Sequence, residues 1–229
     1  MGFNIAIDGP SGSGKSTIAK RLASELGFVY VDTGAMFRGL AVYFLDRNLD
    51  INDEKAISDA VKDAEETIKY SDKVQHVYVN GRDVTERLRT EDVSKAASIT
   101  SQYMTVRTKL LQMQQRMAAS ENVIMDGRDI GTVVLPDAQL KIYLTARPEI
   151  QAKRRYDQLA EAGKLKEATY ESILMDIKER DYRDSHRKNA PLKKADDAVE
   201  IDSSDMTVDE VMKTVMKLYH IASKENSHA

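Results

Sequence analysis

Cysteine and tryptophan are absent from this 229-residue chain. Without cysteine the chain can form neither disulfide bonds nor thiolate metal sites, and we therefore expect a cytoplasmic protein rather than a secreted one. No apolar run approaches the roughly 20 residues that a membrane-spanning helix needs. The first apolar run, residues 3–7, is also too short for a signal peptide. These absences predict no membrane partner.

An excess of charge of one sign is also lacking. The chain has 34 lysine and arginine residues against 37 aspartate and glutamate residues, which gives a net charge of −3. Non-specific binding to nucleic acid requires a positive surface, so we predict no nucleic-acid partner and only a local basic site. The four histidines, His76, His186, His220 and His228, share no metal-binding spacing, and we interpret them as surface residues.

Short apolar runs alternate along the chain with helical periodicities. This alternation is typical of an α/β fold in which a parallel sheet is covered by helices. With 41% apolar residues, the chain can build the core of one globular unit. Five strands are predicted at residues 3–8, 28–31, 122–125, 140–144 and 198–201. Helices are predicted at residues 15–26, 104–119 and 207–223, the last one behind a Thr207-x-x-Glu210 capping box.

Two segments interrupt this alternation. Within residues 57–92, the Asn80-Gly81 pair between alternating runs predicts a β-hairpin outside the main sheet. Residues 151–194 are charged and rich in arginine, and they predict a helical hairpin, broken near Gly163, that would act as a lid. The resulting single unit of residues 1–229 has a core at about 1–36, 100–150 and 195–229, an insert at about 37–99 and the lid at about 151–194.

One glycine-rich segment follows the first predicted strand and opens the first predicted helix. It consists of Gly9, Pro10, Ser11, Gly12, Ser13, Gly14, Lys15, Ser16 and Thr17, which match the pattern G-x-x-x-x-G-K-[ST]. The backbone amides of such a phosphate loop bind phosphate groups, and the helix N-terminus adds partial positive charge. The segment therefore predicts ATP binding, with Lys15 neutralising the transferred group and the Ser16 hydroxyl ligating Mg²⁺.

A carboxylate is needed to organise the water around such a metal ion. Asp126 ends the apolar strand at 122–125, and Asp32 follows the strand at 28–31. Either aspartate could belong to the outer shell of the metal, and either could equally be a cap at the end of its strand.

Three further motifs carry a family resemblance. They are VDTGAMFR at residues 31–38, MDGRDIGT at 125–132 and ERDYRDSHR at 179–187. Together with the phosphate loop, and over essentially the whole chain, they resemble the bacterial cytidylate kinases. The resemblance implies a P-loop kinase with a five-stranded parallel sheet, an acceptor-binding insert and a helical lid. It also implies a monomer that transfers the γ-phosphoryl group of ATP to CMP or dCMP.

The resemblance implies the site residues position by position. Catalytic roles fall to Lys15, Arg128, Arg180 and Arg187. The acceptor would be bound by Thr33, Arg38, Ser98, Arg107, Arg128, Asp129, Arg180, Asp184 and Arg187. In this set Ser98, Arg107 and Asp129 read the base, because cytosine offers an amine donor beside two acceptors. Arginine forks clamp the acceptor phosphate, and Arg180 and Asp184 contact the pentose.

Some features leave alternatives open. Thr33 stands where serine is common in the family and Phe37 where tyrosine is common, so the balance between CMP and dCMP is undecided. Three more lid arginines, Arg154, Arg155 and Arg183, either reach the transferred group or lie on a solvated helix face. A kinase for UMP, AMP or shikimate is the alternative within the enzymes, and a nucleic-acid-linked NTPase is the alternative of another class.

Overall fold

The computed structural model describes residues 2–72, 74–165 and 167–226. Its residues group into a core unit, made of Met1–Tyr30 and Glu121–Ala229, and a second unit, Val31–Ser120. These groups follow from packing, whereas the predicted division into core, insert and lid follows from function and stays a prediction.

Five strands form the main sheet. They are β1 Asn4–Asp8, β2 Val29–Asp32, β6 Val123–Gly127, β7 Leu140–Thr145 and β8 Val199–Asp202. The sheet order is β2-β6-β1-β7-β8; β1 pairs in parallel with β6 and β7, and β7 pairs in parallel with β8. All five predicted strands are confirmed, with bounds shifted by one or two residues. The carboxyl ends of parallel strands meet at one edge of a sheet, where α/β proteins bind ligands.

Two helices, α1 Lys15–Leu26 and α8 Val208–Asn226, cover the core unit's apolar surface. Helix α1 has the predicted bounds, and it ends at Gly27, whose φ of 70° suits glycine at a helix C-terminus. The predicted capping box precedes α8, because the amide of Thr207 donates to Glu210 at 2.8 Å and the amide of Glu210 donates back at 3.3 Å.

The predicted helical hairpin is also present in the core unit. It consists of α6 Pro148–Glu161 and α7 Tyr170–His186, and the break lies at Gly163, whose φ is 62°. A small apolar cluster of Ala152, Ile173 and Ile177, separate from the core cluster of the sheet, holds the two helices together. We call α6 and α7 the lid hairpin.

The second unit combines helices with a small antiparallel sheet. Its helices are α2 Thr33–Asp46, α3 Glu54–Ala60, α4 Glu91–Thr100 and α5 Met104–Ser120, and its strands are β3 Glu66–Ser71, β4 Val74–Val79 and β5 Arg82–Asp83. The predicted turn connects β4 to β5, with φ of 49° at Asn80 and 79° at Gly81, as such hairpin turns require. Strand β3 pairs with β4 and was not predicted.

The histidines agree in part with their interpretation as surface residues. His186 and His220 are exposed, His76 is half-buried in β4 near Asp83, and His228 lies outside the described residues. Across residues 2–72, 74–165 and 167–226, no group of three histidine or acidic side chains could hold a metal ion. Over the same residues, no helix combines the length and the apolar character needed to cross a membrane.

Candidate active site

The phosphate loop runs from the end of β1 to the start of α1. Gly9 lies so close to β7 that a side chain there would overlap the carbonyl oxygen of Leu144. Gly14 has a φ of 92° immediately before the first residue of the helix. Both positions therefore need glycine, and the loop amides lie at a helix N-terminus whose partial charge favours phosphate.

Lys15 is buried within this loop. Its Nζ donates a hydrogen bond to the carbonyl oxygen of Pro10 at 2.8 Å. Burial, together with repulsion from Arg128, lowers the pKa of Lys15 to about 7. A lysine with such a pKa gains its full charge when anionic oxygens reach it, so its environment suits a phosphate ligand.

Ser16 and Asp126 form an oxygen-rich pair beside the loop. The Ser16 hydroxyl donates to Oδ2 of Asp126 at 2.6 Å, and the Tyr30 hydroxyl donates to Oδ1 at 2.8 Å. Mg²⁺ prefers hard oxygen ligands and usually takes only one or two from the protein, with water and substrate phosphates supplying the rest. The Ser16 hydroxyl and the Asp126 carboxylate therefore fit Mg²⁺ arriving with ATP.

Two ion pairs with buried carboxylates join the segment after β6 to the end of the lid hairpin. Arg128 donates to Asp184 at 2.8 Å, and Arg187 donates to Asp129 at 3.1 Å. Burial opposes ionisation of Asp184, but Arg128, Arg180 and Arg187 outweigh it and lower its pKa below the ordinary value. The core unit thus brings together five of the predicted acceptor-binding residues.

The other lid arginines have different surroundings. Arg154 donates to the Ser203 carbonyl oxygen at 2.6 Å and to the Ser203 hydroxyl at 3.0 Å, at the end of β8. Arg155 is exposed and bonded to its helix neighbour Gln158. Arg183 lies 3.7 Å from Glu179, one turn away on the same helix. The exposure of Arg155 favours the solvated-face interpretation for that residue. Arg183 is half-buried, and among the described residues its Nε has no hydrogen-bond partner, so both interpretations stay open for it.

Two of the predicted acceptor residues, Thr33 and Arg38, lie in the second unit in the helix that follows β2. Thr33 is buried at the start of α2, and Arg38 follows in the same helix. Asp32 caps this helix by accepting a hydrogen bond from the Ala35 amide at 2.8 Å, and it pairs with Arg38 at 3.2 Å. The carboxylate of Asp32 is thus used for capping and ion pairing, which was one of its two sequence interpretations.

Arg107 and Ser98 also belong to the second unit. Arg107 is buried in α5, donates to the Ser101 carbonyl oxygen at 3.0 Å, and lies 5.5 Å from the centre of the Phe37 ring. The Ser101 hydroxyl in turn donates to the carbonyl oxygen of Ser98 at 3.3 Å. The aromatic face of Phe37 therefore packs near the Arg107 guanidinium group, at a distance that allows a cation–π contact.

Comparisons with known proteins identify the family to which the chain belongs. A family model described as cytidylate kinase matches residues 5–221. The chain belongs to the cytidylate kinase family. It is 46% identical over 218 residues to a cytidylate kinase from Caldicellulosiruptor bescii, which covers 95% of this chain and 96% of the relative. It is 45% identical over 216 residues to one from Lactobacillus johnsonii, covering 94% and 93%. The resemblance seen in the motifs is thereby confirmed.

Two side chains that contact predicted site residues or their neighbours in this cytidylate kinase family member were not predicted. Asp8, at the end of β1, accepts hydrogen bonds from the amides of Ile130 and Gly131. An acidic residue that ends an otherwise apolar run was the available signal for Asp8. Tyr30, which holds Asp126, gave no signal, because tyrosine is common in strands.

Proposed function

We propose that this chain transfers the γ-phosphoryl group of ATP to CMP or dCMP, giving ADP and CDP or dCDP. The observation that carries this proposal is the match to the cytidylate kinase family over residues 5–221, which includes the complete phosphate loop. The environment of Lys15 supports ATP as the donor, because a buried lysine at the start of a helix suits the charge of the β and γ phosphates.

The proposal includes Mg²⁺ bound by the Ser16 hydroxyl, with Asp126 in the outer shell. When bound, Mg²⁺ neutralises charge on the phosphate oxygens and orients them. Tyr30 keeps the Asp126 carboxylate turned toward Ser16, because the Tyr30 hydroxyl donates to one carboxylate oxygen and the Ser16 hydroxyl donates to the other. Asp32 was the other candidate, but its bonds to Ala35 and Arg38 support a role in holding that arginine instead.

Arg38, Arg128 and Arg187 are proposed to bind the acceptor phosphate. Paired carboxylates fix the direction of each guanidinium group, which lowers the entropy lost when phosphate binds. Among the described residues, Nε of Arg38 is buried and has no hydrogen-bond partner, as expected for a donor that serves a ligand. Thr33, buried beside this helix start, would hold the same phosphate.

Asp129, Arg107 and Ser98 are proposed to read the base. The carboxylate of Asp129 would accept a hydrogen bond from the exocyclic amine of cytosine, and Arg107 and Ser98 would serve its ring acceptors. Uracil places a carbonyl where cytosine has the amine, so two acceptors would face each other, the uracil oxygen and the buried carboxylate of Asp129, with no proton between them. Arg180 and Asp184 would contact the pentose, so that acceptor binding and lid closure are coupled.

No general base is needed for this transfer. The attacking oxygen belongs to a phosphate that is already ionised, so alignment and charge neutralisation lower the barrier. Lys15, Arg128, Arg180 and Arg187 supply positive charge for the transferred group, and a closed lid hairpin excludes water that would hydrolyse ATP. A monomeric state, the absence of a nucleic-acid partner and a cytoplasmic location stay predictions from the sequence.

A substrate panel tests the proposed function. We would measure ADP formation from Mg-ATP with CMP, dCMP, UMP, AMP, GMP, dTMP and shikimate in turn. We expect the rates of ADP formation with CMP and dCMP to exceed those with all other acceptors, and Lys15→Ala to abolish turnover. Asp129→Ala should reduce the ratio of the rate with CMP to the rate with UMP. Preference for UMP, AMP or shikimate would favour the alternative acceptors. ATP hydrolysis that appears only with added DNA or RNA would favour the NTPase instead.

A further inference from the structure

Asp8 is a buried carboxylate that the proposed chemistry does not use. It is the last residue of β1 and directly precedes the phosphate loop, with 5% of its surface exposed. Its Oδ1 accepts a hydrogen bond from the Ile130 amide at 2.8 Å, and its Oδ2 accepts one from the Gly131 amide at 2.7 Å. Both carboxylate oxygens are therefore bonded to consecutive backbone amides, a strong charge-assisted arrangement.

These two amides directly follow the proposed acceptor residues Arg128 and Asp129. They begin a single π-helical turn, residues Ile130–Val134, in which the Asp129 carbonyl oxygen accepts from the Val134 amide at 3.2 Å. The first amides of such a turn have no partner within it, so a carboxylate from elsewhere is needed to satisfy them. Asp8 provides that carboxylate from a residue 122 positions earlier in the chain.

Ion pairing does not explain why the Asp8 carboxylate is buried. Burial is the main influence and raises its pKa to about 6, the two amide bonds oppose this, and Asp129 repels it while Lys15 attracts it. Tyr143 is its register partner on β7. Lys141, which packs near Gly131, directs its ammonium group to Asp197 at 2.7 Å. A carboxylate held at such a cost is typical of functional sites.

We propose that Asp8 is a positioning residue that holds Arg128 and Asp129 at a fixed place relative to the phosphate loop. Because Gly9 follows Asp8 directly, one residue connects the loop that binds the donor to the segment that binds the acceptor. The predicted effect of Asp8 on catalysis rests on the proposed function. We assign Asp8 an effect on selectivity for the acceptor base, exerted through the backbone of the segment that carries Asp129.

Asp8→Asn tests this assignment, with Asp53→Asn as the matched control. Asp53 also accepts a hydrogen bond from a backbone amide, that of Ala56 at 3.0 Å, but it caps α3 and belongs to no proposed site. We expect Asp8→Asn to reduce the ratio of kcat/KM for CMP over UMP by about tenfold, a factor typical of losing one charged hydrogen bond. The KM for ATP should stay unchanged, and the control should change neither value.

Amide NMR provides a readout that does not depend on the substrate. The amide protons of Ile130 and Gly131 should shift together as the pH is changed, with a midpoint near the pKa of about 6 of Asp8. Their common titration should disappear in Asp8→Asn and persist in Asp53→Asn. Should Asp8→Asn fail to fold, Asp8→Glu, which keeps the charge but displaces the carboxylate from the Ile130 and Gly131 amides, takes its place in the kcat/KM comparison, and an unchanged ratio for CMP over UMP would overturn the assignment.

The outcomes separate this inference from the proposed function. Equal losses for CMP and UMP, with a raised KM for ATP, would mean that Asp8 only supports the phosphate loop, and positioning would be rejected. If the wild-type protein does not phosphorylate CMP, the proposed function fails, and the amide titration then decides on the Asp8 contact by itself.

Discussion

The cationic residues of the site differ in their partners. Arg128 and Arg187 are bonded to the buried carboxylates of Asp184 and Asp129, whereas the ammonium group of Lys15 donates to a backbone carbonyl oxygen of the phosphate loop. A carboxylate partner keeps a guanidinium group charged and oriented in a buried place. Lys15 is therefore the cation whose protonation should respond to the arrival of phosphate.

We expect ATP binding to be coupled to proton uptake by Lys15. Its pKa is lowered to about 7 by burial and by Arg128, so at pH 8 the free protein holds it largely uncharged. Phosphate oxygens raise this pKa, and by linkage ATP affinity should decrease as the pH rises above 7. Titration calorimetry at pH 8 in two buffers with different ionisation enthalpies should show uptake approaching about one proton per ATP.

Lys15→Arg is the control for that uptake. Arginine stays protonated throughout this pH range, so its observed binding enthalpy should not depend on the buffer. Identical enthalpies in both buffers for the wild-type protein would show that Lys15 is already charged before ATP binds.

Single residues also show what the sequence could not reveal. The phosphate loop was predictable because its function depends on adjacent residues. The contacts of Tyr30 with Asp126 and of Asp8 with Ile130 span 96 and 122 residues, and no local pattern encodes them. Asp32 had two interpretations after its strand, and contacts within α2 favour the cap.

The secondary-structure elements were predictable where their signal is local. Helix α1 has a glycine at each end, and the Asn80-Gly81 turn requires φ values that few residues tolerate, so both were predicted. Strand β3 was missed because most of its residues are exposed and its only apolar residues, Ile68 and Tyr70, give too short an alternation to indicate a strand. It forms a strand through its pairing with β4, which is a tertiary effect.

The lid hairpin has a small core of its own. We therefore expect the hairpin to unfold locally without unfolding of the main sheet. Ile177 of α7 packs against Ala152 of α6 in a cluster separate from that of the main sheet. Ile177→Ala should destabilise the hairpin by about 2 kcal/mol, the lower end for buried isoleucine, because the cluster is small. Hydrogen exchange should then accelerate in α6 and α7 while exchange in β1 and β6 stays unchanged.

Met175→Ala is the control on the same helix. Met175 is 72% exposed, so its truncation removes little packing, and exchange in α6 and α7 should match the wild-type protein. Faster exchange across the whole core unit in Ile177→Ala would contradict an independent lid core.

At the scale of the whole molecule, buried carboxyl groups in both units oppose the usual pH dependence of stability. Burial raises the pKa of Asp8 in the core unit to about 6, and it raises the pKa of Glu66 in the second unit well above the ordinary value. Where a folded-state pKa is raised, the folded protein binds more protons than the unfolded chain. These two groups therefore contribute stability at low pH that is lost as the pH rises.

Glu66 should show the larger effect of pH on stability, because among the described residues neither of its carboxyl oxygens has a hydrogen-bond partner. It lies on β3 where α2 passes so closely that a side chain at Gly39 would come within 2.7 Å of Oε2. Ionising Glu66 in this place costs free energy, and the cost grows as the pH rises above the unfolded-state pKa of about 4.3. Glu66→Gln keeps the shape of the side chain but cannot ionise.

We therefore expect the stability of Glu66→Gln relative to the wild-type protein to increase steadily from pH 5 to pH 8. Urea unfolding at each pH measures this difference, and Glu65→Gln, at the exposed neighbouring position, should show no such trend. A flat difference would mean that Glu66 finds a partner in solution and ionises freely. If the trend appears in one of two separate unfolding transitions, that transition belongs to the second unit, and the two units unfold independently.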